Sequence, residues 1–255
     1  MPDLLDFPVL VFIVSFVTMW VSARIGASRL RRFRKIEDEA REDFGVIQAA
    51  TLTLLALIIG FTFSMAVGRY DQRKNYEEEE ANAIGTEYVR ADLLPAADAV
   101  IVRGLLRAYL DERVLFYATR DARQLAKANA EAERLQRAMW SAVKNAALAQ
   151  PTPVAALTVA GMNDVLNTQG YTQAAWWNRI PFAAWTLMGL MAVSANLLVG
   201  YGARALKPGA GLLLIVPLVV SLSFALIADI DSPHGGVIRV KPLNLHALAD
   251  SIRPR

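Results

Sequence analysis

The 255-residue sequence contains no cysteine and only two histidines, His234 and His246. Without thiols there is no disulfide framework, no thiolate metal site and no cysteine nucleophile, and the redox compartment is not encoded. Charge is missing just as selectively. Residues 7–23, 44–68, 180–203 and 208–228 contain no Asp, Glu, Lys or Arg. At ~1.5 Å rise per residue each run is long enough, the first only just, to cross a hydrocarbon core of ~30 Å as a helix. No strand pattern competes. The expected fold is therefore an all-α membrane protein with four transmembrane helices and a long helical extramembrane domain between the second and third.

Composition agrees with that division. A hydrophobic share of 55% and a mean hydropathy of +0.31 exceed those of an ordinary soluble domain, while 20% of the residues are charged and sit outside the spans. The net charge is +3. Its basic residues concentrate beside spans, where they act as topology signals rather than as a nucleic-acid surface. Asp3 and Asp6 precede the first apolar run, and Arg24, Arg29, Arg31, Arg32, Arg34 and Lys35 follow it. That is the reverse of a secretory leader, so the run is expected to be a retained span. Short basic loops stay in the cytoplasm. The 24–43 loop, and the one carrying Arg204 and Lys207, are then inside, and the helical domain and both termini are outside. Arg69, Arg73, Lys74, Arg179, Arg239 and Lys241 at the other span ends work against this bias.

The boundaries follow: a first transmembrane hairpin over 1–68, a helical domain over 69–178, a second hairpin over 179–230 and a polar tail over 231–255. From Arg69 to Leu94 there is no proline and one glycine, Gly85, so the second span continues out of the membrane as a rod until Pro95 ends or kinks it. Val102, Leu105, Leu106, Tyr109, Leu110 and Phe116 recur at helical spacing in a next helix. Leu125, Leu135, Met139 and Val143 do so in a third helix from about Asp121. Thr152 and Pro153 cap a fourth that runs to about Gly170.

Within the spans, Ala56, Gly60, Ser64 and Gly68 form a strip of small side chains, and Ala192, Asn196 and Gly200 form another. Such strips let backbones approach closely, which pairs the second span with the third. No ionisable group lies in a span, which argues against a proton-coupled pump. A passive path would use Thr62 and Ser64, with Phe61 and Phe63 as its apolar constriction. Trp176 and Trp177, beside Arg179, suit an interfacial belt. The run Glu77 to Glu80 reads as a solvated helix face. Asp229 and Asp231 stand where the fourth span must stop, and carboxylates there oppose the helix dipole unless Arg, a cation or N–H groups meet them. They also suit a turn held by side-chain to backbone bonds. They do not form an EF-hand, since the later ligands and the terminal Glu are absent.

Several segments together resemble the bacterial bestrophin-like family, a membrane family of unknown function: Gly60-Phe61-Thr62-Phe63-Ser64, Arg69-Tyr70-Asp71-Gln72-Arg73, Glu80-Ala81-Asn82-Ala83-Ile84-Gly85-Thr86, Arg90-Ala91-Asp92-Leu93-Leu94-Pro95, and Asp229-Ile230-Asp231-Ser232-Pro233 with Gly235-Gly236. The resemblance spans nearly the whole chain and marks Glu80, Asn82, Asp92, Asp229 and Asp231 as motif or ion-attracting residues. Bestrophins proper are pentameric ion channels with two spans, a helical region and two more spans, and their second span lines an apolar neck. Their helical region and termini are cytosolic, opposite to what the basic loop here indicates, and Asp229 and Asp231 match their calcium clasp only in part.

The implied function is a homo-oligomeric, bestrophin-like ion channel with its pore lined by the second span. The rival is a non-conducting scaffold or sensor whose helical domain binds a partner. An enzyme is not expected: there is no Ser-His-Asp set, metal-ligand cluster or phosphate loop, and Gly200-Tyr201-Gly202 and Gly209-Ala210-Gly211 lack the later residues of a nucleotide fingerprint. The expected partners are the lipid bilayer, further copies of the chain and small ions, with no cofactor, metal or nucleic acid.

Overall fold

The computed structural model describes residues 4–30, 40–203 and 211–253. The topology signals at Arg31, Arg32, Arg34, Lys35, Arg204 and Lys207 lie outside the described residues, as do Gly209 and Ala210. Among the described residues every regular element is helical. Helix α1 is Pro8–Ile25, with proline in its first turn where the missing N–H costs nothing. It passes into a wider turn, Gly26–Leu30. Helix α2 is Arg41–Arg90, 50 residues without a break, so the second apolar run and the charged rod beyond it are one helix.

A 3₁₀ turn, Ala91–Leu93, ends it, and Leu94 is extended (φ −90°, ψ 161°), as the residue before a proline must be. Helix α3 is Ala96–Ala118. Helix α4, Ala122–Ala149, opens on Asp121, whose carboxylate accepts the Arg123 N–H at 2.8 Å. Helix α5, Pro153–Trp177, opens on Thr152, whose hydroxyl accepts the Ala155 N–H at 3.0 Å. It does not stop near Gly170. One helical glycine costs only about 1 kcal/mol, which the turns after it offset. Helices α6 (Phe182–Gly202) and α7 (Ile215–Asp231) complete the apolar set, and α8 is Leu243–Ile252. Four helical stretches, containing α1, α2, α6 and α7, are long and apolar enough to cross a membrane.

The chain divides into two compact units, Met1–Arg69 with Arg179–Arg239, and Tyr70–Asn178 with Val240–Arg255. In the first, α1 packs against both α6 and α7. Here the small-residue pairing differs from expectation. Ala192, Asn196 and Gly200 are buried, but their neighbour is α1 and not α2. A Cβ on Gly200 would lie 1.9 Å from the Ala23 carbonyl oxygen, and one on Gly26 would lie 2.1 Å from that of Leu197. Two bare backbones meet, so each glycine is required. The other strip, Ala56, Gly60, Ser64 and Gly68, is exposed along its whole length.

The second unit has an apolar core built from the periodic residues of α3 and α4, joined by Met162 and Val165 of α5 and by Leu245 and Ala249 of α8. Two expectations change here. Trp176 is not a headgroup anchor: it is buried, edge-on to Phe116 (4.8 Å between ring centres) and Tyr117 (5.6 Å), while Trp177 remains exposed. The tail over 231–255 is not merely polar. Its helix α8 packs on α3, with Leu245 fully buried. The i, i+3, i+4 spacing of Leu245, Leu248 and Ala249 is the signal that marks it.

Candidate functional site

The site residues fall into three groups. The first is the apolar part of α2. Leu55, Thr62 and Ala66 are buried and share one side of the helix at about 100° per residue. Thr62 is on this covered side, and its hydroxyl donates to the Ile58 carbonyl at 2.8 Å. Opposite lie Gly60 and Ser64, within the uncovered strip, and Phe61 and Phe63 stand exposed on its two flanks. A Cβ on Gly60 or Gly68 would meet no atom within 4 Å. Three other hydroxyls are internally satisfied: Thr51 and Thr53 donate to the carbonyls of Ile47 and Ala49 at 2.8 and 2.9 Å, and Ser223 of α7 to that of Val219 at 3.0 Å.

The second group closes the end of α7. Both Asp229 oxygens accept backbone N–H groups, from Val237 at 2.7 Å and Ile238 at 2.8 Å, which folds the Gly235-Gly236 turn back onto the helix end. A Cβ on Gly236 would lie 2.3 Å from the Asp229 carbonyl oxygen, so the turn needs glycine there. Asp231 accepts the Ile180 N–H at 3.2 Å and the Arg179 Nε–H at 3.4 Å, with Arg69 at 3.8 Å. Arg179 also donates to Asp6 at 2.6 Å, and Ser232 donates to Asp6 at 3.4 Å. The two aspartates that oppose the dipole of α7 are thus met by N–H groups and arginine, and both are buried. They are not ion-attracting groups at an open mouth.

The third group lies in the helical unit, and the solvated-face reading of the glutamate run fails for half of it. Glu77 and Glu80 are buried; Glu78 and Glu79 are exposed. Glu77 caps α8, accepting the backbone N–H groups of Asn244 (2.9 Å) and Leu245 (3.0 Å) and the Asn244 side chain (2.6 Å). Glu80 is paired with the fully buried Arg113, which donates from both Nε and Nη2, and it also accepts from Tyr117 (3.3 Å) and Thr172 (3.4 Å). Burial opposes the charge of Arg113, but the adjacent Glu80 outweighs it and holds the guanidinium protonated. Asp92 pairs with Arg103, and Asn82 lines a cavity of about 280 Å³ together with Thr86, Arg90, Gly161 and Asp164.

Glu87 is the residue that sequence reasoning missed. It is 0% exposed, and neither carboxyl oxygen has a hydrogen-bond partner. Burial chiefly, with the Asp164 charge adding and Arg90 opposing, pushes its carboxyl up to about 8.

The Bestrophin-like domain family matches residues 9–245. This chain belongs to the Bestrophin-like family. Among solved structures it is similar to a bacterial bestrophin homolog from Klebsiella pneumoniae: the zinc-phased structure shares 16% identity at a TM-score of 0.61, covering 94% of this chain and 95% of that one. A variant of the same homolog gives 14% identity and a TM-score of 0.63, covering 94% and 96%. At that identity the likeness is one of fold. No curated relative matches.

The calcium clasp that the bestrophin resemblance brings with it does not fit the end of α7. Calcium takes six to eight oxygen ligands. Here Asp6 and Asp231 are engaged by two guanidinium groups, and both oxygens of Asp229 are held by backbone N–H. Among the described residues no group of three or more His, Asp or Glu is placed to hold a metal ion.

Proposed function

We propose that this member of the Bestrophin-like family is a homo-oligomeric ion channel whose pore is lined by α2. The observation that carries this reading is how bare the helix is. Only 6% of its most apolar stretch is covered by its own chain, against 28–33% for the other three spanning stretches. A single subunit therefore leaves the strip Ala56, Gly60, Ser64 and Gly68, with Leu57, Phe61 and Phe63 around it, for neighbours to cover. Glycine and serine at every fourth position are poor ligands for lipid chains but suit close helix contact or a narrow lumen. Around a central axis, Gly60 and Ser64 would let neighbouring copies of α2 approach closely, with the exposed Phe61 and Phe63 on the flanks of the strip supplying an apolar collar. Trp177, exposed one turn before α6, is the aromatic belt residue that remains.

Ion flux through liposomes containing the purified protein tests this. Wild-type protein is expected to pass small ions, and Phe61→Ala with Phe63→Ala to raise the flux by widening the collar and removing a dewetting barrier. Protein that passes no ion before or after these changes is a scaffold or sensor instead, with the helical unit as its functional surface. Asp229→Asn and Asp231→Asn are expected to lower stability rather than ion preference, because both carboxylates are used inside the fold.

A further inference from the structure

The helical unit contains a buried carboxyl with no hydrogen-bond partner. Glu87 of α2 is buried against Gly161 of α5, and a Cβ on that glycine would strike Glu87 Oε2 at 2.1 Å and Arg90 Nη1 at 2.5 Å. Carboxyl and guanidinium thus converge on one bare Cα, yet no hydrogen bond joins them. Arg90 instead reaches Asp164 on α5, at 4.0 Å. A buried carboxylate with no donor is costly enough that such a group normally keeps its proton.

We propose that Glu87 is a proton-binding site of the helical unit, and that its proton decides whether Arg90 pairs with Asp164 or turns inward to Glu87. With the proton on, the site holds one positive and one negative charge, Arg90 and Asp164, and α2 is tied to α5. With the proton off, the buried carboxylate demands a partner, and Arg90 is the nearest cation. The 280 Å³ cavity beside it, lined also by Asn82 and Thr86, gives the guanidinium room to move. Competing charges are few. Asp164 is the only charged residue of α5, and Asp92 in the turn after α2 is already paired with Arg103 of α3. Burial pushes this carboxyl up to about 8, within reach of an ordinary pH change. Gly161 belongs to the device, since any side chain there would occupy the meeting point.

Infrared difference spectra of the full chain, between about pH 6 and about pH 10, read a protonated carboxyl directly. The expected result is loss of one protonated-carboxyl band with a midpoint near 8, and absence of that band from Glu87→Gln. Asp164 is largely exposed, so Asp164→Asn should fold normally and lower the midpoint, because the charge that helps hold the proton is gone. The partner exchange is read separately by combining Arg90→Gln with Asp164→Asn: their coupling in the thermal midpoint should be present at the acid end and at least halved at the alkaline end. A carboxyl that does not titrate in this range, or a midpoint unmoved by Asp164→Asn, overturns the site. Coupling between Arg90 and Asp164 that is equal at both ends overturns the switch.

Discussion

At the scale of single residues, several charges that look free in the sequence are spoken for. Arg113 and Glu80 form a buried pair with further donors on Glu80, and the second partner cannot be dropped without leaving the first unpaired in an apolar core. Arg113→Met should cost about 3–5 kcal/mol, measured as a lowered denaturation midpoint, and Arg113→Met with Glu80→Gln should recover part of that loss. Glu87 works in the opposite direction. Its folded-state carboxyl is raised from 4.5 to about 8, so the folded form holds a proton that the unfolded chain releases. The stability it contributes is fully present below 4.5 and is lost as pH rises to about 8. Thermal midpoints of the wild type should therefore fall across that window relative to Glu87→Gln, whose neutral amide removes the effect. None of these partnerships is visible along the chain, because Glu80 and Arg113 are 33 residues apart and Thr172 is 92 from Glu80.

At the scale of elements, two glycines that look alike in sequence differ in kind. Gly200 lies against the backbone of Ala23, and a methyl group there has nowhere to go. Gly200→Ala should destabilise the protein by about 1–3 kcal/mol whatever its oligomeric state. Gly60 faces open space in the single chain, so Gly60→Leu should leave the subunit folded and break up the oligomer, seen as a smaller particle in detergent. Unchanged particle size would show that the strip is not a packing face. Helix identity was largely legible: the apolar periodicity of α3 and α4, the caps at Asp121 and Thr152, and the stop at Pro95 all act through nearest neighbours in the chain. The run of α5 past Gly170 and the packing of α8 were not, since each depends on the surface offered by other helices.

At the scale of the whole molecule, orientation is open to a direct test, because the chain has no cysteine of its own. Cysteines placed at the exposed positions Ser28 and Ala130 should respond oppositely to an impermeant thiol reagent applied to intact cells. The basic residues after α1 predict labelling at Ala130; labelling at Ser28 alone would reverse the orientation and match that of bestrophins. Four spans, a helical insert and one continuous 50-residue helix follow from the sequence by itself, because hydropathy and helix propensity are sums over neighbouring residues. Which small-residue strips meet, which acidic residues are neutralised and which carboxyl is left without a donor follow only from the tertiary structure. Contact and dielectric are properties of what folding brings together, and a strip of glycine or a run of glutamate carries the same pattern whether its face ends against a backbone, an arginine or open space.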